Sequence, residues 1–107
     1  MGRACAAMLL LFLAAEPAQS RQLSPESRGR ALVSRMCGEC HAIGATGASP
    51  HPAAPAFRRF DRRLDLDSFN ERLREGLFSG HPDMPQFRFS RDEARAVRAY
   101  LRTIQGR

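Results

Sequence analysis

At 107 residues the chain has room for one domain and not two. Seven Phe, one Tyr and no Trp leave few large apolar residues, so a core of side chains alone would be marginal and something else must fill the middle. The net charge is +6 and every basic residue is Arg; in a chain that opens like an exported one, this charge suits acidic protein faces better than nucleic acid.

Residues 1–20 read as a cleaved secretory signal peptide. Met1-Gly2-Arg3 gives a positive start, and residues 4–15 form an uncharged apolar run shorter than the ~20 residues of a membrane span. A break at Glu16-Pro17 precedes Ala18-Gln19-Ser20, with small residues where a signal peptidase cuts. Residues 21–107 are then the folded domain. The leader is secretory rather than Arg-rich and amphipathic, which points to a bacterial periplasm. Cys5 leaves with the leader, so Cys37 and Cys40 are the two remaining thiols, and an oxidising compartment implies that both are committed.

After a polar lead-in, Ser24-Pro25-Glu26 predicts a helix start, with a capping hydroxyl, Pro in the first turn and an acid at the positive end. Gly29, Leu32, Val33 and Met36 recur on one face of that helix, which ends at the Cys37 segment. Residues 42–56 contain Gly44, Gly47, Pro50, Pro52 and Pro55 and read as an irregular loop. A second helix is expected from residue 65 or 67 to 78, with Leu66, Phe69, Leu73 and Leu77 inward and Glu71, Arg72, Arg74 and Glu75 outward. Gly80-His81-Pro82-Asp83-Met84-Pro85 predicts a stiff, extended loop. Ser90-Arg91-Asp92-Glu93 is a capping box that opens a last helix with a buried stripe of Ala94, Val97, Leu101 and Ile104. No segment alternates like a strand and none repeats. The expected class is all-α, three main helices with long loops.

Cys37-Gly38-Glu39-Cys40-His41 carries the chemistry. Two thiols separated by two residues can add to the two vinyl groups on one edge of a haem, and a His directly after the second Cys reaches the iron. Zinc would need further ligands that the sequence does not pair with these, and a thioredoxin-like redox site would need strands. The motif thus implies one covalently attached haem c with iron, held by Cys37 and Cys40 and ligated by His41. For the sixth position Met84 is the candidate, because a weak thioether donor binds best from a rigid loop. His81 and His51 are alternatives that would give bis-His ligation. Met36, in the helix beside the attachment site, is poorly placed.

Residues 24–105 resemble the class I cytochromes c. Gly29 and Val33 fall where that family has a Gly and an aromatic or apolar residue on the first helix, and Val97, Tyr100 and Leu101 match its apolar-Tyr-Leu cluster on the last. The resemblance implies a cytochrome c fold in which these two helices cross closely at Gly29. Ala54-Pro55-Ala56-Phe57 is similar to the family segment whose Pro carbonyl accepts the ring N–H of the axial His. That would give Pro55 the task of orienting His41, with Pro50 and Pro52 as rivals. Arg replaces the Lys ring of better-known members, the loop after the attachment motif is richer in Pro and Ala, and the stretch between Phe60 and Met84 is shorter than in mitochondrial members. Arg58, Arg59, Arg62 and Arg63 either meet the haem propionates or form a solvated face paired with Asp61, Asp65 and Asp67. Phe87 and Phe89 complete the core or lie against the haem.

The expected function is one-electron transfer between ferric and ferrous haem, without enzymatic turnover, by a monomer or a subunit of a redox complex. Its expected partners are redox proteins with acidic docking faces. A haem subunit of a larger oxidoreductase is the alternative, as is gas binding or peroxide reduction if Met84 does not ligate.

Overall fold

The structure, a computed structural model, describes residues 22–106 apart from the Asp61 side chain. The signal peptide read from residues 1–20 lies outside the described residues. Within them the chain forms three α-helices, α1 (Pro25–Cys37), α2 (Leu66–Glu75) and α3 (Arg91–Ile104), with a 3-10 turn over Phe57–Arg62.

Each helix starts where local chemistry supplies a cap. Ser24 Oγ accepts the Ser27 N–H at 3.2 Å, and Pro25 opens α1 where an N–H would have no partner. At α3 the box is reciprocal: Glu93 N–H donates to Ser90 Oγ at 3.2 Å, and Ser90 N–H donates to Glu93 Oε2 at 2.9 Å. Asp65 caps α2 by accepting the Ser68 N–H at 2.8 Å. That backbone bond, with the Ser68 hydroxyl next, lowers the Asp65 pKa from its usual value. The carboxylate therefore supports α2 fully above its unfolded pKa, and the support is lost as pH falls through the lowered value.

Helix α2 ends at Glu75, three residues before the predicted limit. Gly76 takes φ 114°, a conformation that stops the helix. Leu77 then pairs with Phe87 in an isolated antiparallel bridge, its N–H 2.6 Å from the Phe87 carbonyl oxygen and the reverse bond at 3.3 Å. Leu77 is buried as expected, but through this bridge rather than a helical face, while Phe78 is 76% exposed. The bridge closes the base of a loop over residues 78–86. At the tip of that loop the predicted extended chain is a turn: Met84 N–H donates to His81 O at 3.1 Å, with Pro82 at the position whose fixed φ favours turning.

Helix α3 is the centre of the packing and meets α1, α2 and the 3-10 turn. Its stripe of Ala94, Val97, Leu101 and Ile104 is buried, joined by Ala96 and Tyr100, against Leu32 and Val33 of α1 and Phe69 and Leu73 of α2. At the α1–α3 crossing Gly29 lies so close to α3 that a Cβ there would overlap the Ala96 carbonyl and come 2.9 Å from Tyr100 Cβ. Two side chains of the α3 region anchor the loops. Tyr100 Oη donates to Ile43 O at 2.6 Å, and Gln105 Nε2 donates to Phe57 O at 2.8 Å. Among the described residues no helix is long and apolar enough to cross a membrane.

Asp65 and Asp67 form no ion pair with the Arg cluster, and the Asp61 side chain lies outside the described residues. Asp67 instead pairs with α3: its Oδ1 lies 2.6 Å from Arg98 Nε and 3.6 Å from Arg102 Nη2. The Arg98 N–H is not aimed at that oxygen, so the attraction is Coulombic. Asp65 is occupied by its cap, and Arg58 donates to Gly47 O at 2.7 Å.

Candidate functional site

At the end of α1 the chain turns tightly. Cys40 N–H and His41 N–H both donate to Cys37 O, at 3.2 and 2.9 Å. The turn brings Cys37, Cys40 and His41 to the wall of one cavity of about 390 Å³. The 3-10 turn adds Phe57 and Phe60, α2 adds Phe69 and Leu73, and the 77–89 segment adds Leu77, Met84, Phe87 and Phe89. Phe57, Phe60, Phe69, Leu73, Leu77 and Phe89 are core residues, so the cavity is a gap in the hydrophobic core itself. Phe89 belongs to that core and Phe87 packs against it, and both face the cavity.

His41 is buried, with its ring against Phe57 at a centroid distance of 4.6 Å. Its Nδ1 lies 2.7 Å from the Pro55 carbonyl oxygen, which can only accept, so Nδ1 carries the proton. Among the described residues the other ring nitrogen, Nε2, makes no hydrogen bond and keeps its lone pair. A carbonyl bond of this kind fixes the ring's orientation and makes the imidazole a stronger donor. Pro55 takes this place, not Pro50 or Pro52.

Cys37 and Cys40 are both free and half-buried. Burial pushes the Cys37 thiol up to about 11. A reactive redox thiol is shifted the other way, towards thiolate, so Cys37 lacks the surroundings of one. Among the described residues no three His, Cys, Asp or Glu converge as metal ligands. A neutral thioether sulfur, by contrast, has no charge to desolvate. A large apolar cavity, two sulfurs at its wall and one imidazole nitrogen with a free lone pair fit a covalently held haem.

The remaining predicted ligands also reach this cavity. Met84 is half-buried and packs on the core. His51 and His81 line the wall as well, but His51 Nε2 is engaged with Asp83 Oδ2 at 3.3 Å, and His81 is exposed. Met36 lines the cavity from α1 and is 38% exposed. Of the Arg cluster only Arg63 reaches the cavity; Arg72 of α2 is exposed, as its place on the helix predicts, and also lines the cavity.

The family described as "Cytochrome C oxidase, cbb3-type, subunit III" matches residues 24–101. Among curated proteins the chain is 33% identical over 98 residues to "Cytochrome c-552" of Bradyrhizobium diazoefficiens, covering 91% of this chain and 92% of that protein. No solved structure gives a significant match. The chain belongs to this family of c-type cytochromes, and its cofactor is covalently bound haem c with its iron.

Proposed function

We propose that the protein is an exported one-electron carrier in which Cys37 and Cys40 hold the haem and His41 and Met84 are the axial ligands. Family membership makes it an electron-transfer haem protein. Haem iron supplies a reversible one-electron change, and His/Met ligation raises its potential relative to bis-His. The single observation that carries the ligand assignment is the His41–Pro55 hydrogen bond, which leaves one ring nitrogen free in a cavity that Met84 also lines. The apolar wall of Phe57, Phe60, Leu73 and Phe89 excludes water from that space, so little solvent reorganises when an electron arrives. No nucleophile or general base is required of the site, consistent with a carrier rather than an enzyme. With residues 1–20 removed after export, the protein would work in the periplasm.

The test is the absorption spectrum of the haem-loaded protein beside Met84→Ala. The oxidised wild type should show the weak long-wavelength band of sulfur-ligated ferric haem, and the variant should lose it and have a lower potential. Ready binding of carbon monoxide by the reduced wild type would instead mean an open iron, and gas binding or peroxide reduction would replace the carrier reading.

For partners, the net charge of +6 favours redox proteins with acidic docking faces. Raising salt from about 0.01 M to about 0.15 M shortens the screening length from about 30 Å to about 8 Å. The second-order rate of electron exchange with an acidic partner should fall several-fold over that range, and a flat salt profile would remove charge steering. The family description and the exposed Phe78 at the cavity rim favour a second reading, a subunit of a larger oxidoreductase. Co-purification from the native membrane separates the two.

A further inference from the structure

We propose that His51 is a positioning residue, a clasp that holds the Met84 loop over the cavity through its hydrogen bond to Asp83. The inference rests on the reading of Met84 as an iron ligand. It starts from how the 78–86 loop is tethered. The Leu77–Phe87 bridge closes its base. Above that base the hydrogen bonds are internal: His81 N–H to Ser79 Oγ at 3.1 Å, Asp83 N–H to His81 Nδ1 at 3.3 Å, and Met84 N–H to His81 O at 3.1 Å. Among the described residues, one hydrogen bond joins residues 78–86 to any other part of the protein, and it is His51 Nε2 to Asp83 Oδ2 at 3.3 Å.

The clasp is built on both sides. On the 42–56 loop, Ala53 N–H donates to His51 Nδ1 at 3.1 Å, which makes Nδ1 the acceptor and places the ring proton on Nε2, facing the carboxylate. A neutral ring therefore suffices, and no charge on His51 is needed. On the other loop, His81 sets its ring edge-on to His51 at 5.8 Å and 87°, while its Nδ1 holds the Asp83 backbone. The residue next to Asp83 is Met84. A thioether is a weak donor that stays on iron only while its loop stays in place, so a tether one residue away acts on how often it leaves. Asp83 is 67% exposed, which limits the effect to what an exposed pair contributes.

The experiment uses the ferric, haem-loaded full chain and imidazole as probe, added to saturation so that its binding rate reports departure of the native ligand. His51→Ala and Asp83→Ala should each raise that rate about two- to five-fold, the scale of an exposed pair. The double variant should be no faster than the singles. His51→Gln, whose amide can donate from a similar position, should return the rate close to wild type. The long-wavelength sulfur band should fade at lower temperature in His51→Ala than in wild type. If the band is present in wild type and His51→Ala binds imidazole at the wild-type rate, the clasp is wrong and Met84 ligation stands. Single-variant effects that multiply in the double variant likewise overturn it. A wild type without the band overturns Met84 ligation, and the clasp with it.

Discussion

Gly29→Ala should destabilise the haem-loaded protein by at least about 3 kcal/mol, although the same change in an exposed helix would stabilise it by about 1 kcal/mol. The sign reverses because the added methyl has nowhere to go. Its neighbours are the Ala96 carbonyl, backbone that cannot rotate aside, and Tyr100 Cβ at 2.9 Å. Relief requires α1 and α3 to separate, and that contact buries Val33 and Leu101, both nearly inaccessible. Overpacking alone costs about 1–3 kcal/mol, and a shifted helix adds lost burial to it. A domain with about 5–15 kcal/mol in total would survive in a weakened state, and Gly29→Val should go further and prevent folding. The measurement is a urea titration read by absorbance and circular dichroism. Gly44→Ala is the control, because its nearest neighbour is 4.0 Å from the added atom, and its midpoint should stay near wild type. A Gly29→Ala variant as stable as wild type would mean that the helices do not cross where the structure has them.

What the sequence discloses here is what is local. Ser24 and Pro25, and Ser90 with Glu93, mark helix starts because a cap needs residues three positions apart. The α3 stripe is readable because fourteen residues give the 3.6 period several turns in which to repeat. The attachment motif is five adjacent residues. The end of α2 was less readable: the apolar spacing continues through Leu77, and only the φ of Gly76 shows that Leu77 is buried by a bridge instead. The 3-10 turn does leave a local trace, the three-residue spacing of Phe57 and Phe60, whose rings meet at 4.4 Å. Pairings across the fold leave no local trace. Asp67 lies near the Arg cluster in sequence but pairs with α3, and Tyr100 reaches a carbonyl 57 residues away. The choice among Pro50, Pro52 and Pro55 is likewise a matter of tertiary geometry, settled at the level of hydrogen bonding by the 2.7 Å contact to His41.

A chain that cannot take up its haem, with Cys37→Ala and Cys40→Ala and made without the cofactor, should fail to show a cooperative thermal transition. The cavity of about 390 Å³ is walled by the core's own residues, so emptying it removes contacts from Phe57, Phe60, Phe69, Leu73, Leu77, Phe89 and Val97 together. At about 24 cal/mol per Å³ of cavity, that is about 9 kcal/mol, comparable to the entire stability of a domain. Water entering through the mouth offsets part of this, yet half the figure still approaches the lower limit of folding. Circular dichroism during heating provides the measurement. The haem-loaded protein should melt in one step and the double variant should lose helicity gradually. A cooperative melt within about 5 °C of the loaded protein, equivalent to about 1 kcal/mol at this size, would show that the core stands without the cofactor. Any helicity that remains should belong to α1 and α3, since Ala96 and Tyr100 pack against Gly29 and they, with the core residues Leu32, Val33 and Leu101, do not line the cavity. Amide exchange in the double variant should therefore be slowest along that crossing and fastest in α2, whose buried residues Phe69 and Leu73 both face the emptied space.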